Sequence, residues 1–165
     1  MIQTEASGYV IEVAEAISLF QAGRPLIIGG VEVPFSKGLD GHSDGDVLIH
    51  SIIDALLGAA GMGDIGMHFP SSDVQYKDIN SIDLLVKTYE LISEKWRVCN
   101  VDATIIAERP SLKNYLKPMK QIIAYSIEID SSQVNIKATT TDGLGFTGRG
   151  DGISSLSIVM LESMK

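Results

Sequence analysis

Gly41-His42-Ser43-Asp44-Gly45-Asp46-Val47-Leu48-Ile49-His50-Ser51-Ile52-Ile53-Asp54-Ala55-Leu56-Leu57 is the stretch on which the reading of this chain turns. Its first part is a loop of glycine, hydroxyl and acid. Its second part places Leu48, Ile49, Ile52, Ile53, Leu56 and Leu57 at helical spacing, which predicts a helix from Asp46 to Ala60 capped by Ser43 or Asp44. Upstream, Pro25 to Pro34 reads as a β-hairpin, because Gly29-Gly30 supplies the positive φ angles a two-residue turn demands. A polar loop from Ser36 to Asp46 joins the two. Downstream come a loop from Gly61 to Asp78, a helix from Ser81 to Trp96 and a strand from Val101 to Ala107. A third helix follows from Asn114 to Ile129, with Pro118 in its first turn. Strands at Val134–Thr139 and Ile153–Leu161 flank a loop from Thr140 to Gly152.

This mixture predicts an α+β domain: an α/β sandwich with a mixed sheet of four to five strands, helices covering one face. The bare face then needs a partner, and oligomerisation is the simplest cover. The whole chain, 1–165, reads as a single domain with an unusual first segment, 1–24.

Composition agrees with a globular core: 45% of residues are hydrophobic, although only 6% are aromatic. The net charge of −8 disfavours nucleic acid and acidic membranes, while leaving room for a small phosphorylated ligand in a locally positive pocket. The lone Cys99 cannot form an intramolecular disulfide and reads as a buried small hydrophobe. No apolar run is long enough to predict a membrane span. Glu5, with no basic residue before Arg24, does not resemble a signal peptide. The expected setting is a bacterial cytoplasm, or an organelle after maturation.

Four groups of residues carry chemistry. In the first, His50 and Asp54 share a helix face, and His42 lies before the helix's positive end, a natural site for phosphate oxygens. His50 can bind a metal, with Asp54 holding its ring; the same residues also read as a capped helix with one hydrogen-bonded histidine. In the second, Gly63-Asp64-Ile65-Gly66 and His68-Phe69-Pro70-Ser71-Ser72-Asp73 combine glycines, which admit a ligand to the backbone, with a carboxylate suited to a diol; a plain turn reads equally well. In the third, Ala107-Glu108-Arg109-Pro110-Ser111-Leu112-Lys113 follows a strand, where ligand loops are common, and its cations suit phosphate or a nucleobase as well as solvent. In the fourth, Lys137-Ala138-Thr139-Thr140-Thr141-Asp142 offers hydroxyls and N–H groups to a diphosphate and a carboxylate to Mg²⁺, although threonine is also an ordinary strand residue. Together they suggest a polyphosphate site with a metal.

His42-Ser43-Asp44-Gly45-Asp46-Val47, Asp54-Ala55-Leu56-Leu57-Gly58-Ala59, Gly63-Asp64-Ile65-Gly66, Asn100-Val101-Asp102 and Lys137-Ala138-Thr139-Thr140-Thr141 through Gly145-Phe146-Thr147-Gly148-Arg149-Gly150 resemble the 2-C-methyl-D-erythritol 2,4-cyclodiphosphate synthase family, in order and spacing, from about Pro25 onward. The resemblance implies a phosphorus–oxygen lyase of the non-mevalonate route to isoprenoids. Such an enzyme closes 4-diphosphocytidyl-2-C-methyl-D-erythritol 2-phosphate to the cyclodiphosphate and expels CMP. It also implies a homotrimer packed through its sheets, with sites between subunits, zinc on one side and Mg²⁺ or Mn²⁺ with the diphosphate. By that likeness His50 is a zinc ligand, and His42 and Thr140 stabilise the transition state. Ser43 touches phosphate, and Asp64, Ile65 and Gly66 hold substrate hydroxyls. Phe69, Pro70, Ser71, Ser72 and Asp73 line the methylerythritol side. Ala107, Glu108, Arg109, Pro110, Ser111, Leu112 and Lys113 surround cytosine. Thr139, Thr140 and Thr141 meet the diphosphate with Asp142 at the second metal, where the family more often has Glu. Phe146 and Arg149 lie near substrate or the trimer axis.

One departure stands out. The family's first strand carries Asp-x-His, the other two zinc ligands. Here those positions fall on Ala16 and Ser18 or, in an alternative alignment, on Val10 and Glu12. Glu12 or Glu15 can offer at most an oxygen. Val10, Val13, Ile17 and Phe20 also fit an amphipathic helix, which would displace the first strand. The departure predicts impaired zinc chemistry. It leaves three readings: an enzyme with an altered or Mg²⁺-only site, a weakened enzyme with a replaced N-terminus, or a non-catalytic trimer that binds a cytidine nucleotide or isoprenoid phosphate.

Overall fold

The computed structural model describes residues 8–164. Residues 1–7, Glu5 among them, lie outside it. In chain order the elements are β1 (Tyr9–Ala22), β2 (Leu26–Ile28), β3 (Val31–Val33), β4 (Lys37–Leu39), α1 (Val47–Ala59), α2 (Ile65–His68), α3 (Ser81–Ile92), β5 (Trp96–Ile106), α4 (Leu116–Ser126), β6 (Val134–Thr139), α5 (Gly145–Gly148) and β7 (Gly152–Ser163). Five strands form a mixed sheet in the order β4-β1-β7-β5-β6, and β2-β3 form a separate hairpin. Only the β5–β6 pair is parallel within the large sheet. α4 lies between β5 and β6 in the chain and packs on β6, as a parallel crossover requires.

The Val10–Phe20 segment is not a helix. It is β1, paired antiparallel to β7 from Tyr9↔Glu162 to Leu19↔Gly152. Burial alternates along it: Val10, Glu12, Ala14, Ala16, Ser18 and Phe20 are half-buried, and the residues between them are exposed. A period of two is a strand's. The N–H of Ser163 donates to the Gly8 carbonyl at 2.9 Å, so the first described residue lies beside the end of β7.

α1 lies over β1 and β7. The residues beneath it are small. Ser51 Oγ is 3.0 Å from Ser155 Oγ and 2.6 Å from Ser157 Oγ, all three serines fully buried, so the helix rides close to the strands and no hydroxyl is stranded. Ile49, Ile52, Ile53, Leu56 and Leu57 complete the core from the helix side, with Ala103, Ile105, Val159 and Leu161 from the sheet. The opposite sheet face shows Tyr9, Ile11, Val13, Ile17, Leu19, Leu156 and Ile158 as exposed large side chains.

Other boundaries shift. The segment Ser36–Asp46 contains the short strand β4, and Gly61–Asp78 contains α2 and a 3-10 turn at Val74–Tyr76. The helix from Ser81 stops at Ile92, because Trp96 already begins β5. Cys99 is half-buried, not buried: it sits where the β5–β7 register slips between Val98 and Asn100, the extra residue of a bulge.

Candidate active site

The loop before α1 is held by its own polar groups. Asp46, not Ser43 or Asp44, caps the helix: its Oδ1 accepts from Ile49 N at 3.1 Å. The same carboxylate accepts from Gly29 N at 2.9 Å and Gly30 N at 2.7 Å, which ties the hairpin turn to the helix. Full burial pushes this carboxyl up to about 7, against those three N–H donors. Gly45, at φ +77°, is required where it stands, since a Cβ there would lie 2.5 Å from Leu39 O. Arg24 donates to the carbonyls of Gly41 and Ser43 and pins the loop from outside.

Asp44 turns toward α3. It accepts the N–H of Ser81 at 3.0 Å and the Ser81 hydroxyl. The backbone joins in, with Asp44 N to Ile79 O at 3.1 Å and Asp78 N to His42 O at 2.8 Å. His50 Nε2 lies 2.9 Å from Ser43 Oγ and 3.1 Å from Ser81 Oγ. Burial lowers the His50 pKa, opposed by the charges of Asp44 and Asp54, so the neutral ring is favoured. Asp54 does not hold that ring as the helix spacing suggested. Its Oδ1 accepts from Ile65 N at 2.7 Å and so fastens the start of α2 to α1. Ser43 is buried and engaged with His50, whereas His42 is exposed.

Asp64 caps α2, accepting from Met67 N at 2.9 Å, and remains exposed. Ile65 is half-buried and Gly66 exposed. Phe69 packs edge-on against Tyr76 with centroids 5.4 Å apart. Pro70 is half-buried, Ser71 and Ser72 are exposed, and Asp73 caps the turn that follows by accepting from Gln75 N at 3.0 Å.

The other predicted residues meet elsewhere. A cavity of about 730 Å³ is lined by Ala107, Glu108, Arg109, Pro110, Ser111, Leu112, Lys113, Thr139 and Thr140. Phe35, Leu116 and Ala138 line it as well, and sequence reasoning missed them as site residues. Phe35 packs on Phe20 with ring centroids 5.3 Å apart; an aromatic just after the hairpin was the only signal available. Thr140 Oγ1 and Asp142 Oδ1 are 3.4 Å apart, and Gly143 N reaches Glu108 Oε2 at 3.4 Å, closing one loop on the other. The Thr141 hydroxyl is spent on the turn: it donates to Leu144 O at 2.6 Å. Phe146 is half-buried in α5, and Arg149 pairs with Asp151 at 3.0 Å.

The predicted residues therefore form two groups. His42, Ser43, His50 and Asp64 do not line the cavity that holds Thr139 and Thr140. β4, which leads into the first group, and β6, which leads into the second, are opposite edges of the sheet.

The zinc expectation can be tested against these side chains. A zinc held by protein needs three ligands besides water or substrate. Beside His50, the residues β1 turns inward include Ala14, Ala16 and Ser18. Glu12 lies against Gly58, two helical turns from His50 and about 12 Å along the axis. Glu15 faces the other side and accepts from the Ser154 hydroxyl at 2.7 Å. Among the described residues no three His, Cys, Asp or Glu side chains gather as a metal-holding group. This donor set does not fit a zinc ion on three side chains.

Comparison with known proteins places the arrangement. The 2-C-methyl-D-erythritol 2,4-cyclodiphosphate synthase of Syntrophomonas wolfei is 56% identical over 143 residues, 86% of this chain and 91% of its own. Among solved structures, the bifunctional IspDF of Campylobacter jejuni superposes with a TM-score of 0.92 at 38% identity, covering 97% of this chain and 44% of that one. The CDP complex of IspF from Plasmodium falciparum gives 0.84 at 30% identity, over 98% of this chain and 100% of the other. A model of the YgbB family matches residues 12–162, from within β1 almost to the end of β7; the chain belongs to the YgbB family.

Proposed function

We propose that this chain converts 4-diphosphocytidyl-2-C-methyl-D-erythritol 2-phosphate to 2-C-methyl-D-erythritol 2,4-cyclodiphosphate and CMP, within a cytoplasm or organelle. One observation carries the reading: Ala107–Lys113 and Ala138–Thr140 converge on a single cavity. Phe35, Leu112 and Leu116 give it an apolar part suited to a flat base, and Thr139 and Thr140 bring hydroxyls suited to the diphosphate. The synthase at 56% identity supports the substrate assignment.

In the reaction an oxygen of the 2-phosphate bonds to the β-phosphorus, and the bond from that phosphorus to the bridging oxygen breaks. The electron pair leaves on CMP, so no net proton is needed. Positioning and charge stabilisation supply the catalysis. His42 and Thr140 stabilise the charge that develops on the transferring phosphoryl group. Ser43 adjoins the phosphates, Asp64, Ile65 and Gly66 hold hydroxyls, and Phe69, Pro70, Ser71, Ser72 and Asp73 border the methylerythritol. Thr141, Phe146 and Arg149 shape the rim. Asp142 is exposed beside Thr140 and suits Mg²⁺ or Mn²⁺, which combine one or two carboxylates with substrate phosphates.

The active form in this reading is a homotrimer packed through the bare sheet faces. The exposed Ile11, Val13, Ile17, Leu19 and Ile158 support it, as does the separation of the two residue groups, which a neighbouring copy would reunite. Ala16 and Ser18 on β1 support a site that works without tightly held zinc and turns over more slowly than its relatives.

The test is CMP release. CMP and cyclodiphosphate should appear in equal amounts with Mg²⁺ or Mn²⁺, unaffected by added zinc. Absent release with intact CDP binding would favour the non-catalytic trimer. Stoichiometric zinc in an elemental measurement would overturn the metal part alone.

A further inference from the structure

Ser81 opens α3 and is fully buried. Its N–H and its O–H both go to the two oxygens of Asp44. A hydroxyl has one proton to give. With that proton on the carboxylate, Ser81 Oγ can only accept from His50 Nε2, 3.1 Å away. Nε2 must then carry the hydrogen. Ser43 Oγ, 2.9 Å from the same nitrogen, accepts from it equally well, and a buried serine pair surrounds one edge of the ring. No hydrogen bond to Nδ1 occurs among the described residues.

We propose that Ser81 is a positioning residue that transmits the demand of Asp44 to His50, fixing the imidazole as its Nε2–H tautomer and leaving Nδ1 as the ring's free acceptor. The two nitrogens of a neutral histidine are chemically distinct, and which one is protonated follows from the bond the other group imposes. The chain Asp44–Ser81–His50 joins three separate elements: the loop before α1, the first turn of α3, and α1 itself. It therefore sets the ring against both helices at once. Asp54, the next acid on the same helix, accepts from Ile65 N and makes no hydrogen bond to the ring. The tautomer follows from hydrogen-bond geometry alone; only its consequence for turnover rests on the proposed cyclisation.

The experiment is long-range ¹H–¹⁵N correlation of the imidazoles in uniformly labelled protein, in chelator, at about pH 8, above the ordinary histidine range. His50→Gln assigns the signal. Wild type should show a protonated Nε2 and an unprotonated Nδ1. Ser81→Ala should shift His50 to a mixture of tautomers, and Ser81→Thr should restore the wild-type pattern. CMP release by Ser81→Ala should fall with CDP affinity little changed, since the ring abuts Ser43, which the proposed function sets beside the phosphates. Should Ser81→Ala fail to fold, Asp44→Asn serves: its amide cannot accept from both Ser81 groups, and the same mixture is expected. A wild-type Nδ1–H signal, or an unchanged tautomer in the folded variant, overturns the proposal. Wild type that shows the Nε2–H tautomer but releases no CMP refutes the cyclisation reading and leaves this one standing.

Discussion

Asp46 Oδ2 accepts the backbone N–H of Gly30 at 2.7 Å, so one carboxylate both starts α1 and closes the hairpin turn 16 residues earlier. Replacing it by Asn leaves one acceptor oxygen for three N–H groups, two of them buried. Asp46→Asn should lose about 2 kcal/mol of stability, read as a lower denaturant midpoint with an unchanged slope. A midpoint equal to wild type would mean that the turn closes without it.

The same carboxyl predicts a pH dependence. Burial raises it to about 7 in the folded protein, so the folded state binds the proton more tightly than the unfolded chain does. Its contribution is then largest below the ordinary carboxylate range and is lost as pH rises toward that value. Denaturant midpoints measured from about pH 4 to about pH 8 should carry this falling component. Asp46→Asn should remove it. A rising difference between wild type and variant would show that the three N–H donors outweigh burial.

Gly45 adopts φ +77° with the Leu39 carbonyl directly in the way of any Cβ. Gly45→Ala must move backbone, not a pliant side chain, and should cost about 2 kcal/mol or more. Because the loop it distorts carries His42 and Ser43, CMP release should fall as well. Full activity in a stable Gly45→Ala protein would contradict the close approach.

His42 is exposed and outside the cavity of its own chain. If it stabilises charge only as the ring closes, His42→Ala should lower turnover by roughly 100-fold, as the loss of one such donor does. CDP affinity should be nearly unchanged. Equal loss in both would make it a binding residue instead.

Ile158 sits on the middle strand of the bare sheet face, opposite Val13 on one side and Asp102 on the other. Ile158→Glu puts a charge where a second copy should pack. Sedimentation should show the variant as monomer, with CMP release abolished because the two residue groups separate. A monomeric but active variant would place the whole site in one chain.

Much of the architecture could be read locally. Gly29-Gly30, with φ of +59° and +72°, marks its own turn, and the spacing from Leu48 to Leu57 marks α1. β1 could not be read this way. Val10, Val13, Ile17 and Phe20 fit a helix as well as a strand, and the choice is made by pairing with β7, some 140 residues away. The cavity's two main segments were legible because each lies at the finish of a strand, one just past β5 and one closing β6. Phe35 was not, because its place depends on how the hairpin lies: the turn at Gly29 rests on Met119 of α4, a contact with no local signature. Ser81 was equally silent, since a serine opening a helix looks like an ordinary start signal until Asp44 is seen to accept both of its donors.

The Ser163-to-Gly8 hydrogen bond has a practical corollary. Gly8 and Ser163 meet beside the start of β5, whereas the cavity lies past its finish, roughly 30 Å away along an 11-residue strand. An affinity tag or a second module joined where β1 begins or where β7 ends would emerge far from the mouth of the cavity. A short linker from Ser163 to Gly8 would suit a circular permutation with new termini cut elsewhere.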